Sequence, residues 1–245
     1  MLKITDLSVT VEDKVVVNNF SLNCLPGSLH IIMGPNGSGK SSCASALMGH
    51  PRFVITNGTI QLGGMDITAL PVEKRARAGL FLAFQYPYEI PGVQVFTFIK
   101  EAHRALTGAD IGVIEFKEKL VQTLQQVGLD ESFAHRYLND GFSGGEKKRL
   151  ELVQLLMLKP KVAILDEIDS GLDADGIKKM GAAIAAIRQT CPDMVILVIT
   201  HYAHLVEYLV PDAVHIFAHG RLVASGDTAL TQIIQTKGYS EFLHI

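Results

Sequence analysis

At 245 residues, with 48% hydrophobic and 19% charged residues, the chain is long enough to bury a large core and does not have the composition of a disordered segment. A formal net charge of −3 gives no electrostatic basis for nucleic acid or an anionic membrane as a partner. The three cysteines, Cys24, Cys43 and Cys191, are far apart and lack metal-ligand spacing, which argues against a disulfide framework and for a reducing compartment with thiols acting as small apolar groups. Met1 runs directly into a strand-like segment and no window approaches 18 uninterrupted apolar residues, so the expectation is a cytoplasmic protein without signal peptide or membrane span.

Residues 2–17 alternate as two strands joined by a turn at Glu12, Asp13 and Lys14, and residues 20–25 read as a further strand closed by Pro26-Gly27. The apolar run Leu29-His30-Ile31-Ile32-Met33 reads as a buried strand, and residues 42–48 as a helix. Between them, Gly34-Pro35-Asn36-Gly37-Ser38-Gly39-Lys40-Ser41 fits G-x-x-x-x-G-K-S/T in the strand–loop–helix context the pattern requires. The glycines allow successive N–H groups to point at one anion, and the helix N-terminus adds partial positive charge. Lys40 can bring a full charge to the outer phosphates, and the Ser41 hydroxyl can ligate Mg²⁺. An incidental lysine in a glycine-rich turn would not explain these flanks, so a nucleoside triphosphate is the expected ligand.

Asn57-Gly58-Thr59 and Gly63-Gly64 bound a short strand at 60–62, giving an N-terminal antiparallel β lobe grafted onto an α/β core. Pro71 opens a short basic helix through Arg77, and residues 80–84 form a strand ending at Gln85. Helical spacing then dominates to about residue 159, with helices over 97–106 and 114–127 separated at Thr107-Gly108-Ala109-Asp110. The expected organisation is one domain: a catalytic α/β core from 1–91 and 159–245, and an inserted helical lobe from 92–158. Strands at 161–165 and 194–200 alternate with helices at 174–189 and near 204–209, and 213–217 and 222–224 make a hairpin across Gly220-Arg221. That alternation predicts a mostly parallel sheet covered on both faces.

Val162-Ala163-Ile164-Leu165-Asp166-Glu167 is a hydrophobic strand ending in two carboxylates. Asp166 suits Mg²⁺, held through water, and Glu167 suits a general base for the attacking water. A strand-end acidic turn is the common alternative, and the phosphate loop weighs against it. Phe142-Ser143-Gly144-Gly145-Glu146-Lys147-Lys148-Arg149 adds a second anion-binding helix start, with Ser143 as N-cap. A metal face at His201, His204 and Glu207 is set aside because the i, i+4 histidine pair of a zincin is absent.

These motifs, in this order over essentially the whole chain, resemble the ABC-type ATPases, whose signature is Leu-Ser-Gly-Gly-Gln. The resemblance implies a P-loop ATPase fold and binding of ATP and Mg²⁺ by Gly34, Pro35, Asn36, Gly37, Ser38, Gly39, Lys40, Ser41 and Ser42. It implies a Q-loop at Gln85 serving metal and catalysis, a signature at Ser143, Gly144, Gly145 and Glu146, a D-loop through Asp173, and a switch histidine at His201. It also implies pairing with a second copy in the ATP-bound state, so that the signature of one chain reads the γ-phosphate held by the other.

Where transporter subunits commonly read Asp-Glu-Pro-Thr/Ser, this chain reads Asp166-Glu167-Ile168-Asp169-Ser170, and Tyr202 stands after the switch histidine where Asp is frequent. With Glu146-Lys147-Lys148-Arg149 and the run Phe84-Gln85-Tyr86-Pro87-Tyr88-Glu89-Ile90-Pro91-Gly92-Val93, these departures are similar to the SufC family of the SUF iron–sulfur cluster assembly system. That resemblance implies the scaffold proteins SufB and SufD as partners, with cluster chemistry on the scaffold. The rival readings are the nucleotide-binding subunit of a membrane ABC transporter and a nucleotide-gated module that hardly hydrolyses. Residues 86–98 are either an exposed aromatic anchor for the partner or, through Phe96 and Phe98, packing for the helical lobe. No aromatic residue stands at 10–17, where transporter subunits stack the base, and the base-stacking residue is left unassigned.

Overall fold

The computed structural model describes residues 1–243. The chain opens with an antiparallel hairpin, β1 (Leu2–Val11) and β2 (Lys14–Cys24), turning at Glu12 and Asp13, both with positive φ. The sequence predicted two strands where β2 runs unbroken. Asn19 adopts φ 53° and the ladder steps from Val9↔Val17 to Leu7↔Phe20, so a bulge absorbs the break in alternation and keeps Val17, Phe20 and Leu22 on the core face. Next come β3 (Leu29–Met33), α1 (Lys40–Met48), β4 (Val54–Leu62) and β5 (Met65–Asp66). β4 is longer than the expected 60–62, because Asn57-Gly58 is an irregularity within its pairing to β1 and not a turn. These strands form a four-stranded antiparallel sheet in the order β2-β1-β4-β5.

The middle of the chain gives α2 (Val72–Ala78), with Pro71 at its N-cap, then β6 (Leu80–Ala83), β7 (Ile90–Gln94), α3 (Val95–Thr107) and α4 (Val113–Gln126). A 3₁₀ turn (Glu131–His135) leads to β8 (Tyr137–Leu138), which pairs with β7 in a small ladder the helical periodicity did not signal. α5 (Gly144–Leu158), β9 (Val162–Asp166), α6 (Ala174–Thr190), β10 (Val195–Thr200), α7 (Ala203–Leu209), β11 (Ala213–Ala218) and β12 (Arg221–Gly226) follow. Two closing helices, α8 (Ala229–Lys237) and α9 (Ser240–Leu243), were not anticipated.

The central sheet has the order β12-β11-β3-β10-β9-β6, parallel except for β12. Its inner strands β3, β9 and β10 are fully buried and mostly apolar because both faces are covered. Val195, Leu197 and Ile199 of β10 join a core shared with the antiparallel sheet and α1, whereas Ile196 and Val198 face the core packed by α5, α6, α7 and α8. A third cluster around Phe116, Leu120, Leu124 and Val153 sits among α3, α4 and α5. Four adjacent strands, β3, β10, β9 and β6, end on the same edge, so the segments after Met33, Thr200, Asp166 and Ala83 converge there. That is where ligands bind in open α/β sheets.

Candidate active site

β3 delivers the phosphate loop. Its backbone is held so tightly that a Cβ on Gly34 would lie 2.0 Å from the Phe217 carbonyl oxygen, and one on Gly39, at φ 103°, 2.5 Å from that of Val16. Any side chain at either position would force the loop out of place. Gly39 caps α1, whose first residues are Lys40 and Ser41. Lys40 is buried and curls into its own loop, its Nζ donating to the carbonyls of Gly34 at 2.8 Å and Pro35 at 2.9 Å. Burial pushes its pKa down, and the Glu167 and Asp166 carboxylates oppose that shift.

The loop floors a cleft of about 620 Å³ lined by Val15, Val16, residues 36–42, Gln85, Glu167, His219 and Gly220. Ser41 Oγ donates to Asp166 Oδ1 at 3.1 Å, across 125 positions of sequence. Burial drives the Asp166 carboxyl up to about 6, opposed by the Ser41 hydrogen bond. Glu167 leaves the strand with φ 47°, its N–H donating to Ile199 of β10 at 2.9 Å. A non-glycine residue in this conformation is held there by its surroundings at a cost of about 1–3 kcal/mol. The result is a 7% exposed carboxylate aimed along the cleft. Gln85, after β6, donates its amide to Glu167 Oε2, and His201, after β10, places Nδ1 3.7 Å from Oε1. The structure thus gathers Ser41, Gln85, Asp166, Glu167 and His201 around the phosphate loop.

Other residues named from sequence lie elsewhere. Ser143, Gly144, Gly145, Glu146 and Asp173 do not line this cleft. Ser143 caps α5 in a reciprocal capping box with Glu146, whose carboxylate is held below its usual range by the Ser143 N–H and hydroxyl. Asp173 caps α6, accepting from Gly176 N–H at 2.7 Å. Gly145 and Asp173 meet at a second cleft between α5 and α6. In the 86–98 run, Tyr86 and Tyr88 are each 76% exposed, whereas Phe96 packs edge-on to Phe116 and Phe98 against the same lobe cluster. The run therefore divides into an exposed aromatic part and a part packed in the lobe.

Sequence reasoning missed Val15, Val16, His219 and Gly220 as lining residues, and Lys148 and Asp169 as buried charges. Lys148 is 5% exposed and donates from Nζ to the backbone carbonyls of Glu167, at 3.2 Å, and Ser170. Asp169 accepts from Thr200 Oγ1 at 2.5 Å. The only sequence signal for Lys148 was its place one helical turn after a signature start. Cys24 and Cys43 are buried with thiols pushed up to about 12 by desolvation, which makes them poor nucleophiles.

The family model described as ABC transporter matches residues 17–170. The chain is 45% identical over 240 residues to "Vegetative protein 296" of Bacillus subtilis, covering 97% of this chain and 91% of that one. It is 43% identical over 243 residues to "Probable ATP-dependent transporter ycf16" of Cyanidium caldarium, covering 98% and 95%. The fold superposes with a TM-score of 0.81 on the dimeric post-hydrolysis structure of the ATP-binding cassette MJ0796 bound to ADP and Pi, covering 93% of this chain and 99% of that one. At 18% identity the latter likeness speaks for the fold alone.

Proposed function

This chain belongs to the ABC transporter ATP-binding family, and we propose that it is a Mg²⁺-dependent ATPase that pairs around two ATP molecules to drive conformational change in the SufB and SufD scaffold proteins of iron–sulfur cluster assembly. The observation that carries the hydrolytic part is the convergence of Gln85 and His201 on the Glu167 carboxylate beside the phosphate loop. The loop N–H groups and Lys40 bind the phosphates, Glu167 takes the proton of the attacking water, Gln85 orients that carboxylate, and His201 stands beside the terminal phosphate. Ser41, Gln85 and Asp166 offer the oxygen donors Mg²⁺ favours, and the desolvated Asp166 carboxyl gains a charge partner when the cation binds. When bound, Mg²⁺ would neutralise charge on the phosphate oxygens.

Pairing is supported by the signature residues lying outside their own cleft and by the dimeric structure of the MJ0796 cassette. In this reading Gly144 and Gly145 present helix-start N–H groups beside Ser143, whose own N–H donates to Glu146 Oε2 at 2.7 Å, so that Glu146 holds Ser143 in place rather than touching phosphate. The division into a core (1–91 and 159–245) and a lobe (92–158) belongs to the same proposal, supported by the separate apolar cluster of α3 and α4. The SUF assignment rests on Ile168-Asp169-Ser170, Tyr202 and the run after Gln85, with Tyr86 and Tyr88 exposed as the partner face in the cytoplasm. A second reading is favoured by the transporter named in the ycf16 relative: a nucleotide-binding subunit docked on membrane proteins. Affinity purification from native cells, with mass spectrometry of the bound proteins, separates the two. Recovery of SufB and SufD supports the first; recovery of transmembrane subunits without them sinks it.

A further inference from the structure

The cleft has two distinct ends. Gln85 and Glu167 follow β6 and β9, on one side of β3 in the sheet, whereas the β11–β12 turn lies on the other side. β11 stands three strand spacings from β9, about 14 Å. A triphosphate whose terminal phosphate meets Glu167 therefore directs its base toward β11 and the β1–β2 hairpin.

That end is built from Val15, Val16, His219 and Gly220. Val15 is 60% exposed, an apolar surface that no protein neighbour covers. The turn is fixed to the loop, since Gly220 N–H donates to the Ser38 carbonyl at 2.8 Å and the Gly220 carbonyl accepts from Asn18 N–H at 2.7 Å. A Cβ on Gly220 would approach the Val16 carbonyl oxygen to 2.8 Å, so the turn and β2 are pressed together. His219 is exposed and carries the only ring among the described residues lining the cleft.

Its position is also conformationally unusual. Ala218 pairs with Arg221, and the two residues between them, His219 and Gly220, have φ of 51° and 75°. Two central residues with positive φ define the tight hairpin turn that favours Asn-Gly. Histidine here is not what turn chemistry alone would select.

We propose that His219 is the base-binding residue of the cleft, its imidazole face stacking on the base while Val15 packs against the base from β2. Stacking tolerates any base, because every base has a π-face. The site would accordingly discriminate weakly between purine triphosphates. The assignment rests on the triphosphate reading above, and the test keeps the two separable.

Isothermal titration calorimetry would compare ATP with inorganic tripolyphosphate, which has no base, on the full chain. H219N suits the turn at least as well as the native residue and removes the ring. It should weaken ATP roughly tenfold, the loss expected for one stacking surface, and leave tripolyphosphate unchanged. H219F should restore ATP affinity. Undiminished ATP binding by H219N, or equal weakening of ATP and tripolyphosphate, overturns the assignment while leaving the phosphate site intact. If the wild-type chain binds neither compound, the triphosphate reading falls and this one with it.

Discussion

Glu167→Gln separates proton acceptance from everything else this carboxylate does. Glutamine has the same shape and must hold the same φ of 47°, so the substitution adds little backbone strain to that already present. Its amide oxygen can still accept from Gln85, which preserves the contact between β6 and β9. What disappears is the only carboxylate among the described residues lining the cleft. Loss of a general base costs about 10²- to 10⁴-fold in turnover, or about 3–5 kcal/mol of barrier. Nucleotide affinity should hold or improve, because Glu167 is the larger of the two carboxylate influences on Lys40 and its removal reduces repulsion of the phosphates. Phosphate release at saturating Mg·ATP, with calorimetric affinity measured in parallel, gives both quantities. Turnover within about threefold of wild type would refute the assignment. If His201→Ala then abolished turnover, the proton acceptor would be the imidazole 3.7 Å away.

Lys40→Ala should weaken Mg·ATP binding, since among the described residues lining the cleft it is the only lysine or arginine; equal affinity in calorimetry would remove it from the site. Ser143→Arg should leave one-chain nucleotide affinity intact and prevent ATP-dependent pairing, read by light scattering and turnover; normal hydrolysis would defeat the composite-site proposal. Stability should fall in mild acid because of a buried histidine pair. Ser28 donates to the Leu25 carbonyl, which fixes His30 Nε2–H as donor to Ser28 and leaves His30 Nδ1 to accept from His215, itself accepting from Ser225. Both rings are thus neutral, and burial lowers both pKa values, that of His215 from 6.5 to about 4. The unfolded chain gains a proton below its own pKa that the folded chain resists, so this stabilisation is complete above pH 6.5 and is lost as pH falls toward 4. From His215 the loss should reach about 2 kcal/mol by pH 5, measured by urea unfolding. A His215→Gln protein should show a shallower acid dependence, and an identical slope would contradict the argument.

What could be read from sequence was whatever lies contiguous in it. Residues 34–41 announce an anion cradle because the glycines, the lysine and the flanking strand and helix are neighbours. Asp166 and Glu167 announce a strand end for the same reason. That Ser41 meets Asp166, or Gln85 meets Glu167, depends on β9 lying two strands from β3 and beside β6, an order that periodicity does not specify. Asn19 misled because its left-handed conformation hides a bulge inside a broken alternation. His219 carried no signal at all: a single histidine in a hairpin has no period, and its neighbours Val15 and Val16 are two hundred positions away.

Lys148 shows a different limit, because Lys147-Lys148-Arg149 reads as a solvated basic face. One of the three instead runs inward, binding the carbonyls of Glu167 and Ser170, while Lys147 pairs with Glu89 at 2.7 Å beside the exposed tyrosines. On the same helix the Glu151 carboxyl is pushed up to about 8 by burial, opposed by Gln154 and by the backbone of Phe84, one residue before Gln85. α5 therefore begins at Ser143 and within about two turns reaches the chain next to Gln85 and that of Glu167, the two groups that meet at the Glu167 carboxylate. A displacement of α5 cannot leave Glu167 and Gln85 undisturbed, since a buried ammonium that loses its carbonyls pays a desolvation penalty of several kcal/mol. The aromatic face around Tyr86 and Tyr88 is tied to α5 by Lys147 and to the loop after β8 by Asn139, which donates to the Tyr88 carbonyl at 2.9 Å. Under the proposed function, a partner pressing on that face and a nucleotide closing the cleft would act on the same helix, which is the mechanical requirement for either to bias the other.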